Sequence, residues 1–373
     1  MKWKKVALAM LALACTVSLS ACGFHHKTSS SNSNYTTTGG GGRNYQGVIE
    51  HGHYKVSKSR GVNVNQNSEN QYNLKSFESG LTDVSKRVFS PRTYVFQEGQ
   101  KLTTATTEDW LGRKSAKNPS GLNPVKGSSS NPNPTYIQQI EEQDYMKQNG
   151  SSLSLRGMTI GIGVNSVYYY RKTTNGPQYS RNISDAEVKQ QGEQAAAKVL
   201  QRMRKKPGCK NIPIVIALYK QAPNDSLVGG NFFEYTRASG NSIGTWHKLS
   251  EKTTVMPKSS STNTENQSNE SDSDNFSNFK SQVQSFFPNI SGVTAQAKYE
   301  NGNLAGMHIT VTTQFYSETE IQSFSQYIAQ AANKYLPNGI PIDIRIQSDS
   351  EMQALVFRNS GSNKFQTHVL TSY

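Results

Sequence analysis

The feature that most constrains the fold of this chain is an internal repeat. Leu155-Arg156-Gly157-Met158-Thr159-Ile160 matches Leu304-Ala305-Gly306-Met307-His308-Ile309. Ser184-Asp185-Ala186-Glu187-Val188 resembles Ser317-Glu318-Thr319-Glu320-Ile321. Gln194-Ala195-Ala196-Ala197-Lys198-Val199-Leu200 matches Gln330-Ala331-Ala332-Asn333-Lys334-Tyr335-Leu336, and Ile212-Pro213-Ile214 matches Ile340-Pro341-Ile342. The blocks keep one order, so the chain holds two copies of one folding unit, the first with longer gaps around its helix.

Met307, Ile309, Val311, Thr313 and Phe315 alternate, so 307–315 reads as a half-buried strand. Asn301-Gly302 supplies the positive-φ pair of a tight hairpin, with 293–299 as the partner strand. Ser317 with Glu320, like Ser184 with Glu187, forms a capping box that opens a helix. Ile321, Phe324, Ile328, Ala331, Ala332 and Tyr335 make its apolar face, and Pro337-Asn338-Gly339 ends it. Ile340, Ile342, Ile344 and Ile346 alternate as a strand, followed by another at 354–357. By analogy Asn149-Gly150 marks the first hairpin and 140–146 a strand, although Ile137, Ile140 and Asp144 also fit a helix. The expected class is α+β: two units of mainly antiparallel sheet with a helix on one face, strand–strand–helix–strand–strand. Leu74, Phe77, Leu81, Val84 and Val88 predict a further amphipathic helix over 73–89, stopped by Ser90-Pro91 and followed by a short strand at 92–96.

The N-terminus carries an address. Lys2, Lys4 and Lys5 precede an apolar run from Val6 to Leu19, shorter than the roughly 20 residues of a membrane span. Leu19-Ser20-Ala21-Cys22 then reads as a lipobox, with cleavage after Ala21 and a lipid on Cys22. More than one acyl chain anchors stably where one is marginal. This divides the chain into a signal peptide (1–21), a tether (22–45), an N-terminal α+β domain (46–256), a polar linker (257–275) and a C-terminal α+β domain (276–373). Residues 114–133, rich in Ser, Asn and Pro, form a long loop. With Cys15 removed and Cys22 lipidated, Cys209 is the one thiol left, in a basic turn. No His partner motif accompanies it.

Beyond the lipobox, Gln46-Gly47-Val48-Ile49-Glu50, Tyr72-Asn73-Leu74-Lys75-Ser76-Phe77-Glu78-Ser79-Gly80-Leu81, Phe96-Gln97-Glu98-Gly99-Gln100, Trp110-Leu111-Gly112-Arg113 and the run from Ile216 to Gly230 resemble the CamS family of sex-pheromone lipoproteins. The resemblance spans the chain apart from its tethers. It implies a lipid-anchored protein on the outer face of a Gram-positive cell, processed by a diacylglyceryl transferase and a lipoprotein signal peptidase. It also implies that the signal tail is trimmed to a short hydrophobic peptide sensed by plasmid-bearing enterococci. The corresponding segment here is about Cys15 to Ala21. It is less apolar than the expected type, holds a cysteine and ends in Ala rather than Ser. A role for the mature domain is not implied.

The remaining motifs are weak as chemistry. Gly161-Ile162-Gly163 lacks the third glycine of a dinucleotide fingerprint and reads as a twisted strand. His51-Gly52-His53 reads as a surface turn. Glu141, Glu142 and Asp144 offer paired carboxylates only for Glu142 and Asp144, which share a strand face; a solvated face is the expectation. Tyr168-Tyr169-Tyr170, beside Arg171-Lys172, is a candidate for stacking on sugars or holding anionic polymer, against an edge strand of alternating tyrosines. Asn224, Asp225 and Ser226, within the polar run Gln221 to Gly230, are candidates for a structured binding loop. No base is placed by motif to activate Ser226. No motif implies a catalytic residue, cofactor or metal, so the chain reads as a binding or structural module rather than an enzyme. The runner-up is a cell-envelope hydrolase or wall-polymer-binding enzyme. The formal charge is +14, or +11 once the signal's three lysines leave. An exported protein does not meet the chromosome, so anionic wall polymer and lipid headgroups, not nucleic acid, are the expected counter-charges.

Overall fold

The computed structural model describes residues 35–39, 42–62, 74–150, 152–257, 267–286, 292–314, 317–349 and 351–371. The signal, the lipobox (Leu19, Ser20, Ala21), Cys22 and most of the tether lie outside them.

A small sheet of β1 (Tyr35–Thr37), β2 (Val48–Glu50) and β3 (His53–Tyr54) opens the described chain. His51 and Gly52, both at positive φ, turn β2 into β3, which is the surface turn expected there. The chain continues through α1 (Leu74–Lys86), β4 (Val95–Glu98), α2 (Thr104–Leu111), β5 (Ile137–Asn149), β6 (Ser152–Val164), β7 (Val167–Arg171), β8 (Gln178–Asn182), α3 (Asp185–Arg204), β9 (Ile214–Lys220), β10 (Asn231–Ala238) and β11 (Trp246–Lys248). The second half holds β12 (Glu251–Met256), α4 (Gln267–Gln284), β13 (Gly292–Glu300), β14 (Asn303–Thr312), α5 (Glu318–Tyr335), β15 (Ile342–Gln347), β16 (Met352–Arg358) and β17 (Gln366–Val369).

The repeat is a repeat of topology. One six-stranded sheet runs β4-β5-β6-β9-β10-β11 and the other β12-β13-β14-β15-β16-β17. In each, a helix crosses over between two parallel central strands, and the remaining pairs are antiparallel. The matched blocks meet through the same bond: Met158 N–H donates to Pro213 O (3.1 Å) and Met307 N–H to Pro341 O (3.2 Å). Each proline stands just before its strand, where a missing donor costs nothing. Each crossover end is closed by a buried arginine on carbonyls. Arg204 of α3 donates to Cys209, Ile212, Ala238 and Gly240. Arg358 of β16 donates to Pro337 and Ile340.

The units differ in what covers them. Ile160, Ile162, Ile214, Ile216 and Leu218 pack under α3, while Val215, Ala217, Tyr219 and Phe232 pack under Phe77, Leu81 and Val84 of α1. The first sheet is thus covered on both faces, so the run Ile214 to Tyr219 is apolar without alternation. Gly161 makes room for α1: a Cβ there would lie 2.7 Å from the Phe77 ring. The second sheet buries one face, through Val293, Ile309, Ile344 and Val356, against α4 and α5. Its other face carries Gln296, His308, Asp343 and Arg345, as the alternation of the isoleucine strand requires.

The segment expected as a linker, 257–275, is corrected at its end. Residues 267–275 are the first half of α4, whose Phe276, Phe279 and Val283 are fully buried. Their spacing makes an apolar stripe, and tertiary packing extends the helix back into a polar tract. The second sheet also starts before that tract, at β12. Ser184 makes the expected capping box with Glu187, but Ser317 makes no side-chain cap bond.

Candidate functional site

The two groups of expected binding residues meet. Asn224 N–H donates to Tyr169 Oη (3.1 Å), so the β7–β8 hairpin holds the Gln221–Gly230 loop. Tyr168 and Tyr170 point to the other side and stack at 5.3 Å, and Tyr170 stacks on Tyr179 at 5.7 Å. Arg113 covers the far face of Tyr168 and Lys172 that of Tyr179. The faces that these rings turn to one another are closed to a sugar, and cations already lie over Tyr168 and Tyr179. Ser226 Oγ donates to Val228 O, a bond that shapes the loop. Leu227, at its tip, is 75% exposed.

The solvated carboxylate face is overturned. Glu142 and Asp144 are 2% and 1% exposed, because the segment after β4 folds over β5. Glu142 accepts backbone N–H bonds from Gln100, Lys101 and Leu102, the last at 2.6 Å. Burial, then the Glu142 charge, holds Asp144 well above the usual carboxylate range. Glu141 points to the opposite face, into a cavity of about 610 Å3 that Glu78, Glu98 and Arg60 also line. Burial, then the charge of Glu78, pushes Glu141 up to about 8. Cys209 is buried, which pushes its thiol up to about 11 and disfavours the thiolate. Among the described residues no cluster of His, Cys, Asp and Glu is arranged to hold a metal ion.

One concave feature lies between the units. The outer side of α1 looks across a groove at the uncovered face of the second sheet. At one end the two bodies are clamped by ions. Lys298 lies 3.0 Å from Glu300, 3.8 Å from Glu251 and 3.7 Å from Asp83 of α1, and Arg87 lies 3.7 Å from Glu251. Burial works against the charge of Lys298, but Glu251, Glu300 and Asp83 outweigh it and raise its pKa. The Gln221–Gly230 loop also reaches this face, where Gln296 Nε2 donates to Leu227 O (3.0 Å). Along the floor, His308 Nδ1 is 3.1 Å from Asp343, and His308 is 72% exposed. That hydrogen bond, with the charges of His308, Arg345 and Lys75, holds Asp343 below its usual range. An open cavity of about 820 Å3 continues the groove, lined by Arg43, Asp83, Lys86, Arg92, Pro341, Asn359 and Ser360 among others.

Sequence reasoning missed these residues. Lys75, Arg92, Lys298 and Arg345 come from four distant segments, and no local motif joins them. The signal that was present is the alternation of Met307–Val311 and Ile342–Ile346, which assigns His308, Asp343 and Arg345 to one polar face.

The fold and groove define a duplicated α+β protein with a ligand-sized, charged space between its halves. The chain belongs to the CamS sex pheromone cAM373 precursor family, which matches residues 54–364. It is 53% identical to a sex pheromone precursor from Lactobacillus salivarius subsp. salivarius, whose crystal structure superposes with a TM-score of 0.85 over 91% of this chain and 100% of that one. It is 30% identical to the C-terminal domain of the sex pheromone staph-cAM373 precursor from Staphylococcus aureus, with a TM-score of 0.70 over 81% of this chain and 97% of that one. No curated protein matches. The family is not a known enzyme family. No helix among the described residues is long and apolar enough to cross a membrane.

Proposed function

We propose that the chain is exported, cut between Ala21 and Cys22, and held on the outer face of the membrane by a lipid on Cys22. The released tail, about Cys15 to Ala21, is the source of a peptide pheromone. The mature body is a non-catalytic binding module whose ligand lies in the groove between the units. The observation that carries the binding reading is the pairing of an uncovered polar sheet face with a clamped second wall. Ligand sites concentrate at such junctions.

A deletion complemented by two hybrid genes tests both roles. One carries this signal on an unrelated lipoprotein body, and the other carries this body behind an unrelated lipoprotein signal. The first is expected to restore release of a peptide active on responder cells, and the second the envelope phenotype. Failure of a synthetic Cys15–Ala21 heptapeptide to induce mating aggregation removes the pheromone role.

A second reading, a cell-envelope hydrolase, draws on Glu141. A carboxyl that keeps its proton to about pH 8 beside Glu78 and Glu98 has the property of a general acid. Wall-polymer hydrolysis that is lost in Glu141→Gln, with the fold intact, would establish it.

A further inference from the structure

We infer that the groove binds an extended phosphodiester polymer, a polyol phosphate lying along β15 from the Arg92 cavity to Arg345. This rests on the binding-module reading and names its ligand class. The first observation is charge. The groove collects Arg43, Lys86 and Arg92 at the cavity and Lys75 and Arg345 beside Asp343. Against them stand Asp83 and Asp343. The clamp of Lys298 and Arg87 with Glu251 and Glu300 is neutral within itself. Lys86 is paired with Asp83, and Arg43 donates to Ser360 O. Lys75, Arg92 and Arg345 form no ion pair among the described residues. The positive charge outside these close pairs thus sits at the two ends and on the roof, with Asp343 offsetting part of that of Lys75 and Arg345.

The second observation is shape. Pro341 at the cavity and Arg345 are four residues apart on one strand face, about 13 Å. One phosphate cannot reach both ends, whereas successive phosphates of a chain can. Between the ends the floor offers hydrogen-bonding groups rather than apolar ones: Thr310 beside Arg345, and His308 beside Asp343. Hydroxyls of a polyol meet these groups while phosphates meet the arginines.

The test uses the full mature chain with Cys22→Ser and fluorescent poly(glycerol phosphate), read by anisotropy at low and at physiological salt. The expected result is saturable binding that weakens as salt rises. Arg92→Glu with Arg345→Glu lowers affinity about ten-fold or more, because each reversal opposes the polymer's charge. The neutral pair Arg92→Gln with Arg345→Gln lowers it less, with an unchanged circular dichroism spectrum. Lys205→Glu with Lys210→Glu, an equal charge change at exposed sites beyond the groove, leaves affinity unchanged. Equal loss in both reversed pairs, or loss in neither, overturns the groove as the site. Binding to phosphatidylglycerol vesicles without binding to free polymer also overturns the proposal and assigns the site to headgroups. If no polymer binds while the mature body still complements the deletion, the ligand class falls and the module reading stands.

Discussion

Glu141 and Asp144 stand three residues apart on β5, and burial is the main cause that raises both carboxyls, with a neighbouring carboxylate adding to each. Asp144 is walled in with Glu142; the two share the Gln100 N–H, while the Lys101 and Leu102 N–H groups go to Glu142. Glu141 has a cavity in front of it but two further carboxylates around that cavity. Its pH consequence follows from linkage. An unfolded glutamate loses its proton near 4.5 and the folded one near 8, so between these values the native state holds more protons. Stability therefore falls as pH rises through that window and is flat outside it. Glu141→Gln is expected to remove this slope and to raise stability at pH 8 by on the order of 1–3 kcal/mol, allowing for water in the cavity. Gln143 Nε2 keeps an acceptor in the variant, as it now donates to Glu141 (3.1 Å). Urea unfolding at several pH values checks this; an unchanged slope would show that Glu141 ionises as an ordinary surface residue. The buried character of these acids was not legible in the sequence. Alternation on β5 assigns faces correctly, but whether a polar face meets water depends on the Gly99–Leu102 segment folding over it.

At the element scale, the repeated S-x-x-E pattern makes one good cap and one weak one. Ser184 and Glu187 exchange both bonds of the box, while Ser317 Oγ faces Thr319 Oγ1 instead. Ser184→Ala is therefore expected to cost about 1 kcal/mol, and Ser317→Ala no more than a few tenths. Paired chemical-denaturation curves decide it, and equal costs would mean that the pattern alone sets cap strength. The two arginines at the crossover ends carry a related lesson. Arg204 ends α3 among Arg202, Lys205 and Lys206, yet it is 7% exposed and spends its donors on carbonyls. The second copy supplies the same service from β16. The repeat thus preserves a need, satisfied carbonyls at the crossover, rather than the residue that meets it.

For the whole molecule, the joint between the units is tied at several points: Lys298–Asp83 and Arg87–Glu251 at the clamp, and Thr253–Asn231, Gln296–Leu227 and Arg43–Ser360 beyond it. Lys298 also lies 3.8 Å from Glu251, whose side chain is only 6% exposed, so removing the lysine leaves a buried charge with Arg87 alone. Lys298→Met is expected to cost about 2–4 kcal/mol. It should also move the two halves toward separate thermal transitions, because one of the ties between the sheets is lost. Lys55→Met, which breaks the exposed pair with Glu50, should cost under about 1 kcal/mol. A single unshifted transition in the Lys298 variant would mean that the other contacts hold the joint without it.

The sequence by itself determined the duplication, the strand–strand–helix–strand–strand order, the hairpin at Asn301-Gly302 and the capping boxes as patterns. These depend on local periodicity and turn chemistry, which a chain carries wherever it folds. It also carries the lipobox, which is read by other proteins rather than by packing. Only the tertiary structure decided that α1 covers one sheet and faces the other, that residues 267–275 join a helix, and that Tyr169 positions Asn224 while its neighbours stack out of reach. It likewise decided where Lys75, Arg92, Lys298 and Arg345 meet. Those outcomes depend on which distant surfaces exclude water together, and no window of adjacent residues contains that information.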